Sequence, residues 1–206
     1  CATLFPPEDE PSAYGAFLAA RYAGVNRDAE GAAAYYAEAL NRAPGDATLA
    51  DRAYVTALLS GHMDDASHYA ALSVAAGDPS RLASLYVAAD DIASRNYSEA
   101  RGVISSAPNY GPFNDFVAQL MHHWALMGAG DEAEALDGAQ GMAAPGYLGP
   151  FVSLHRAMLL EAAGRYAQAD EIYAATVFIT PFRRMAVEVY GGFLERQRRS
   201  DDAADL

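Results

Sequence analysis

The stretch Gly164 to Pro181, GRYAQADEIYAATVFITP, decides how the rest of the chain is read. Gly164 ends one helix in a turn and Tyr166 opens the next. Ala169, Tyr173 and Thr176 then step along one face at helical spacing, and Pro181 stops the run. A small residue, an aromatic four later and another small residue three further on let one helix lie close against another. This is the pattern of the second half of a two-helix repeat.

Working outward, the same text recurs. In the first unit Ser12 can cap a helix with Tyr14, Phe17, Leu18 and Tyr22 at three-four spacing, Asn26 to Asp28 break it, and a second helix runs from Ala29 to Arg42. Its packing positions fall on Ala32, Tyr36 and Ala39, before Pro44. The second unit has Gly61 at its turn, then Ala66 and Ala70, and Pro79 closes it. The third has Tyr97, Ala100, Ile104 and Ala107 with an early Pro108, so its second helix is short. The fourth runs as a helix from Pro112 to Leu126, a loose turn MGAGDE, and a helix around Ala133 to Ala139 whose register is ambiguous by two residues. The sixth, from about Arg184, ends as its second helix begins.

Recurrence near 34 residues resembles the tetratricopeptide repeat (TPR) family over about Ser12 to Leu206. The resemblance implies an all-α, right-handed α-solenoid of antiparallel helix pairs, about five full repeats plus a truncated sixth, preceded by a tether over residues 1–11. A solenoid needs a polar-faced terminal helix. None stands at the sequence's end, so the expectation is that further repeats, a second domain or a partner covers the last face.

The 206 residues are 52% hydrophobic and 20% charged, ample for a core without disulfides, and no apolar run of about 18 residues is present to span a bilayer. A net charge of -13 argues against nucleic acid. All 14 basic residues are Arg, which points to a GC-rich bacterial genome. The single cysteine is residue 1. There it resembles the mature N-terminus of a bacterial lipoprotein, which implies a diacylglycerol on Cys1 and membrane contact through that anchor alone. Ala2 in the next position favours the outer membrane, so the expected location is the periplasm. The other reading of Cys1, the edge of a cloned fragment, would leave the chain cytoplasmic.

In the TPR family the first helix of each pair lines the concave face. Aligning the units then gives a partner groove of Tyr14, Phe17, Arg21, Asp51, Val55, Leu58, Leu82, Leu85, His122, Phe151, Leu154, Met158, Glu161, Val189, Phe193 and Arg196. The competing reading of each is packing between repeats. As a strip they suit a protein or peptide with hydrophobic anchors.

Catalytic chemistry finds little foothold. A phosphate loop would need a lysine, and His62, His68, His122, His123 and His155 form no i, i+4 metal pair. Asp64-Asp65, Asp131-Glu132 and Asp201-Asp202 stand at helix starts, where negative charge meets the positive end of the helix dipole. Asp90-Asp91 reads as a solvated or groove-edge pair, Trp124 as core, and the glycine-rich segment Gly138 to Pro150 as a loop. No catalytic, cofactor or metal residue is assigned. The expectation is a non-enzymatic, lipid-anchored scaffold or adaptor. Its alternative is the recognition arm of a larger enzyme, such as a transferase, with a catalytic domain beyond residue 206.

Overall fold

The computed structural model describes residues 12–77, 80–106, 111–143, 146–179 and 182–206. Cys1 and the 1–11 tether lie outside these residues, as do Pro79, Ala107, Pro108 and Pro181 of the repeat pattern. Twelve helices are described: α1 (Ala13–Val25), α2 (Ala29–Arg42), α3 (Ala47–Ser60), α4 (Met63–Ala75), α5 (Arg81–Ala93), α6 (Tyr97–Ser106), α7 (Pro112–Ala129), α8 (Glu132–Gly141), α9 (Gly149–Ala162), α10 (Tyr166–Thr176), α11 (Arg183–Arg196) and α12 (Ser200–Ala204). There is no strand among the described residues. Odd-numbered helices are the first of each pair and even-numbered helices the second, so the chain is an all-α array of helical hairpins.

The repeat is written into the backbone of the turns. Residues with positive φ sit between the two helices of each pair at Arg27, Gly61, Arg95, Gly130, Gly164 and Arg198, each 34 residues after the last except for one step of 35. At Arg27, Gly61, Gly130, Gly164 and Arg198 the amide of the next residue donates to a carbonyl five positions back, as from Asp28 to Ala23, His62 to Ala57 and Arg165 to Leu160. This closes the first helix with a Schellman-type cap that uses up its orphan carbonyls. The sequence marks the first turn by the break at Asn26 to Asp28 and two others by Gly61 and Gly164, but an arginine held at a φ of 62–64° gives no compositional sign of its left-handed backbone.

Five residues beyond each turn stands an alanine. Ala32, Ala66, Ala100, Ala135 and Ala169 are at most 2% exposed, and they bring the second helix against the first. This register resolves the ambiguous fourth unit in favour of Ala135 and Ala139, both fully buried.

Two expectations are corrected. The loose turn MGAGDE is helix through Ala129, followed by a left-handed Gly130 and by Asp131 at the cap position. The expected loop Gly138 to Pro150 is partly helical: α8 continues to Gly141, a 3-10 turn spans Gly146–Leu148, and α9 starts at Gly149 with Pro150 in its first turn. The glycines had suggested a loop, but proline is compatible with a helix's first turn. Gly138 has a packing reason to be in a helix: a Cβ there would lie 2.8 Å from His123 Nε2.

The chain divides into two compact units, residues 1–94 with 102–110 and residues 95–101 with 111–206. Unit 1 packs α1 to α5 consecutively around alanines with Tyr36 and Tyr54. Unit 2 packs α7 to α12 around Leu154, Tyr173, Tyr190, Phe193 and Leu194.

Candidate functional site

In unit 2 the first helices of three successive pairs, with the start of α10, frame a cleft of about 590 Å³. Trp124 comes from α7, Met158 and Glu161 from α9, Tyr166 from α10, and Arg196 and Gln197 from the end of α11. Apolar and ionic groups therefore meet in one concavity.

The charged part is held rigidly. Arg196 Nε donates to Glu161 Oε1 at 2.7 Å and Arg196 Nη2 to Oε2 at 3.2 Å. The Tyr173 hydroxyl donates to Oε2 at 3.1 Å from the core side. Burial, then the nearby Glu161 carboxylate, push the Tyr173 phenol well above its ordinary range, so it stays protonated and keeps donating. The hydrogen bond to Glu161 likewise raises Arg196. Bidentate pairing fixes the orientation of the guanidinium, and its side chain still leaves 58% exposed to a ligand.

Of the groove residues expected from the sequence, Met158, Glu161 and Arg196 come together here. Leu154 and Phe193 do not line a surface: they are 2% and 1% exposed in the core of unit 2. Phe193 falls five residues before its turn, the register of the fully buried Leu159, so the sixth unit had been aligned out of step. Phe151 packs edge-on to Phe182 with ring centres 4.3 Å apart, Val189 packs on the core, and His122 is half-buried.

In unit 1, Tyr14, Arg21 and Leu82 are exposed, and Phe17, Asp51, Val55, Leu58 and Leu85 are half-buried. The Arg21 guanidinium lies 6.0 Å over the Phe17 ring, which meets Tyr36 edge-on at 6.0 Å. Asp51 Oδ1 is buried with no hydrogen-bond partner.

Trp124 was read as core, yet it is half-buried and lines the cleft. The signal existed: it stands six residues before its turn, as do Arg21, Val55 and Met158. Placing the end of α7 too early hid the match. Tyr166 and Gln197 lie outside the first-helix register and had no such signal.

Sequence spacing along one helix also missed a pairing across helices. His123 Nδ1 and His155 Nε2 are 3.1 Å apart, with the rings 6% and 3% exposed. Burial, reinforced by His123, lowers His155 to about 4, and burial, reinforced by His122, lowers His123. The pair is thus neutral near pH 7, one imidazole donating to the other. Among the described residues no group of three or more His, Cys, Asp or Glu is placed to hold a metal ion. Asp90 is exposed and accepts from Ser67 Oγ at 3.0 Å, and Asp91 beside it is half-buried.

No protein-family model matches the chain, and no curated protein matches it. Solved structures do. One is YrrB, described as a TPR protein with an unusual peptide-binding site, at a TM-score of 0.66 and 16% identity over 88% of this chain and 93% of that one. Two structures of MamA align at TM-scores of 0.39 and 0.37 with 16% and 17% identity, over 94% and 90% of this chain and 86% and 88% of theirs. The match to YrrB and the 34-residue period of the turns agree on a TPR fold.

Proposed function

We propose that this chain, which has the fold of a tetratricopeptide-repeat protein, is a non-enzymatic scaffold that binds a protein or peptide partner on the faces of its first helices, with the Trp124 cleft of unit 2 as the anchoring site. The cleft carries this reading, because an aromatic and a thioether wall beside a pre-oriented guanidinium suits an apolar side chain followed by a carbonyl or carboxylate. One further observation supports it: the structural neighbour YrrB is described as having a peptide-binding site.

The test is to select peptides against the 206-residue chain from a random library and measure the best by calorimetry. Trp124→Ala and Tyr166→Ala should each weaken binding about tenfold or more with helicity retained, since buried aromatics dominate interface energies. Unchanged affinity in both would remove the cleft from consideration.

The proposal extends to the bacterial envelope through a lipid on Cys1. Expression behind a lipoprotein leader with a labelled fatty acid checks it: label should enter the wild-type chain and be lost in Cys1→Ser.

A further inference from the structure

A second cleft in unit 2, of about 530 Å³, opens between α8, α9 and α10 and shares no lining residue with the first. Its floor is apolar, with Leu136, Leu160 and Ile172 half-buried. Above that floor stand two guanidiniums, Arg156 and Arg165, and two carboxylates, Asp137 and Glu171.

Arg156 is out of keeping with its position. Eight residues before the turn, the other repeats place Ala19, Ala53, Val87, His122 and Tyr190. Ala53 and Tyr190 there are buried, and Ala19, Val87 and His122 are half-buried. In the fifth repeat alone, a charged side chain occupies this packing register and is half-buried in it. Burying part of a guanidinium costs free energy unless an acceptor compensates. Yet among the described residues the side chains of Arg156, Arg165, Asp137 and Glu171 make no ion pair or hydrogen bond, with each other or with anything else. Elsewhere in the same unit Arg196 is paired with Glu161, and Arg199 with Asp170 and Asp202.

The lining narrows the ligand class. A phosphate or other dianion would meet two carboxylates facing the same space, and a purely apolar ligand would desolvate four charges without pairing any. Only a molecule carrying both signs with an apolar body satisfies floor and walls together. We propose that this cleft binds a zwitterionic ligand of the amino-acid type, a short apolar peptide with free termini or a free apolar amino acid. Its carboxylate is taken by Arg156 and Arg165, its ammonium by Asp137 and Glu171, and its side chain rests on Leu136, Leu160 and Ile172. Guanidinium forks suit a carboxylate.

The test is calorimetric titration of the 206-residue chain with Leu-Leu, free leucine, N-acetyl-Leu-Leu and Leu-Leu amide at millimolar concentrations. The expected result is saturable binding of Leu-Leu or of leucine, whichever is tighter identifying the source. Blocking either end of the dipeptide should weaken binding about tenfold or more. Arg156→Gln should weaken the dipeptide by a similar factor, and the exposed variant Arg165→Gln, which leaves packing untouched, by several-fold. Loss of binding in Arg165→Gln, which lines this cleft and not the other, separates its outcome from that of the partner cleft. No saturable binding of any probe overturns the proposal. So does equal binding of the free and blocked dipeptides, or full affinity in Arg165→Gln and Arg156→Gln with circular dichroism at wild-type values.

Discussion

The two units solve one packing problem with different materials. Unit 1 brings helices together through methyl groups: Ala16, Ala20, Ala39, Ala50, Ala53, Ala66, Ala70 and Ala83 are all at most 3% exposed, with Tyr36 and Tyr54 filling the remaining space. Unit 2 keeps such alanines, Ala135, Ala157 and Ala169 among them, and adds large rings. Tyr173 stacks on Tyr190 at 5.7 Å and meets Phe193 at 5.1 Å, and the two hydroxyls reach out of the core to Glu161 and Asp170. Those carboxylates in turn hold Arg196 and Arg199. A core of methyls has no spare volume, whereas a core of rings with polar ends depends on each ring and on its protonation state. The first should fail by overfilling, and the second by truncation and by acid.

The largest expected effect tests truncation. Tyr173→Ala removes a fully buried ring and the donor to Glu161, and should destabilise unit 2 by about 3–5 kcal/mol. Segment-resolved amide exchange under mild urea should show lost protection in α9 to α11 while α1 to α4 keep theirs. Equal loss in both would mean that the units do not differ in this respect.

Acid comes next. His155 titrates near 4 in the folded chain against an ordinary 6.5, so the unfolded chain takes the proton first. Its contribution is intact above pH 6.5 and is lost as the pH falls from 6.5 towards 4. The full displacement corresponds to on the order of 3 kcal/mol. Urea midpoints measured across that window should fall in wild type, with unit 2 opening first, and the slope should be shallower in His155→Leu. A slope that is the same in both proteins would show that carboxylates alone drive the acid response.

Overfilling ranks third. Ala53→Leu has no room in unit 1 and should cost about 1–3 kcal/mol, read as a lower thermal midpoint with exchange losses confined to α1 to α4. The smallest effect should not separate the units at all. Arg27→Gly in unit 1 and Arg198→Gly in unit 2 relieve the same left-handed turn, and each should raise stability by roughly 1 kcal/mol. Gly164→Ala should move it the other way by a comparable amount, although a Cβ there meets open space.

Much of the architecture was legible because it depends on local spacing. Ala32 with Tyr36, and Ala169 with Tyr173, announce a helix that packs along one stripe, and Ser12 and Asp28 cap their helices as short polar residues do, accepting from the amides of Gly15 and Gly31. The fourth unit was illegible for the opposite reason. Its glycines look like loop text, but Gly128 sits in α7 where the Tyr97 ring covers it, and Gly138 sits in α8 against His123. A glycine used for close approach reads the same as a glycine used for a turn until the neighbour is known.

The sequence by itself determined the helical class, the repeat length and the small-residue stripe by which second helices such as α2 and α10 pack, since these follow from spacings of three, four and 34 residues along one chain. Only the tertiary structure decided which side chains from different helices meet. His123 and His155 are 32 residues apart in sequence and share a hydrogen bond. Glu161 and Arg196 are 35 apart and form one wall of a cleft. Arg156 stands in a packing register without a counter-charge. Such meetings depend on the angle at which one hairpin stacks on the next, and that angle is set by the summed volumes of many buried residues, which no local pattern records.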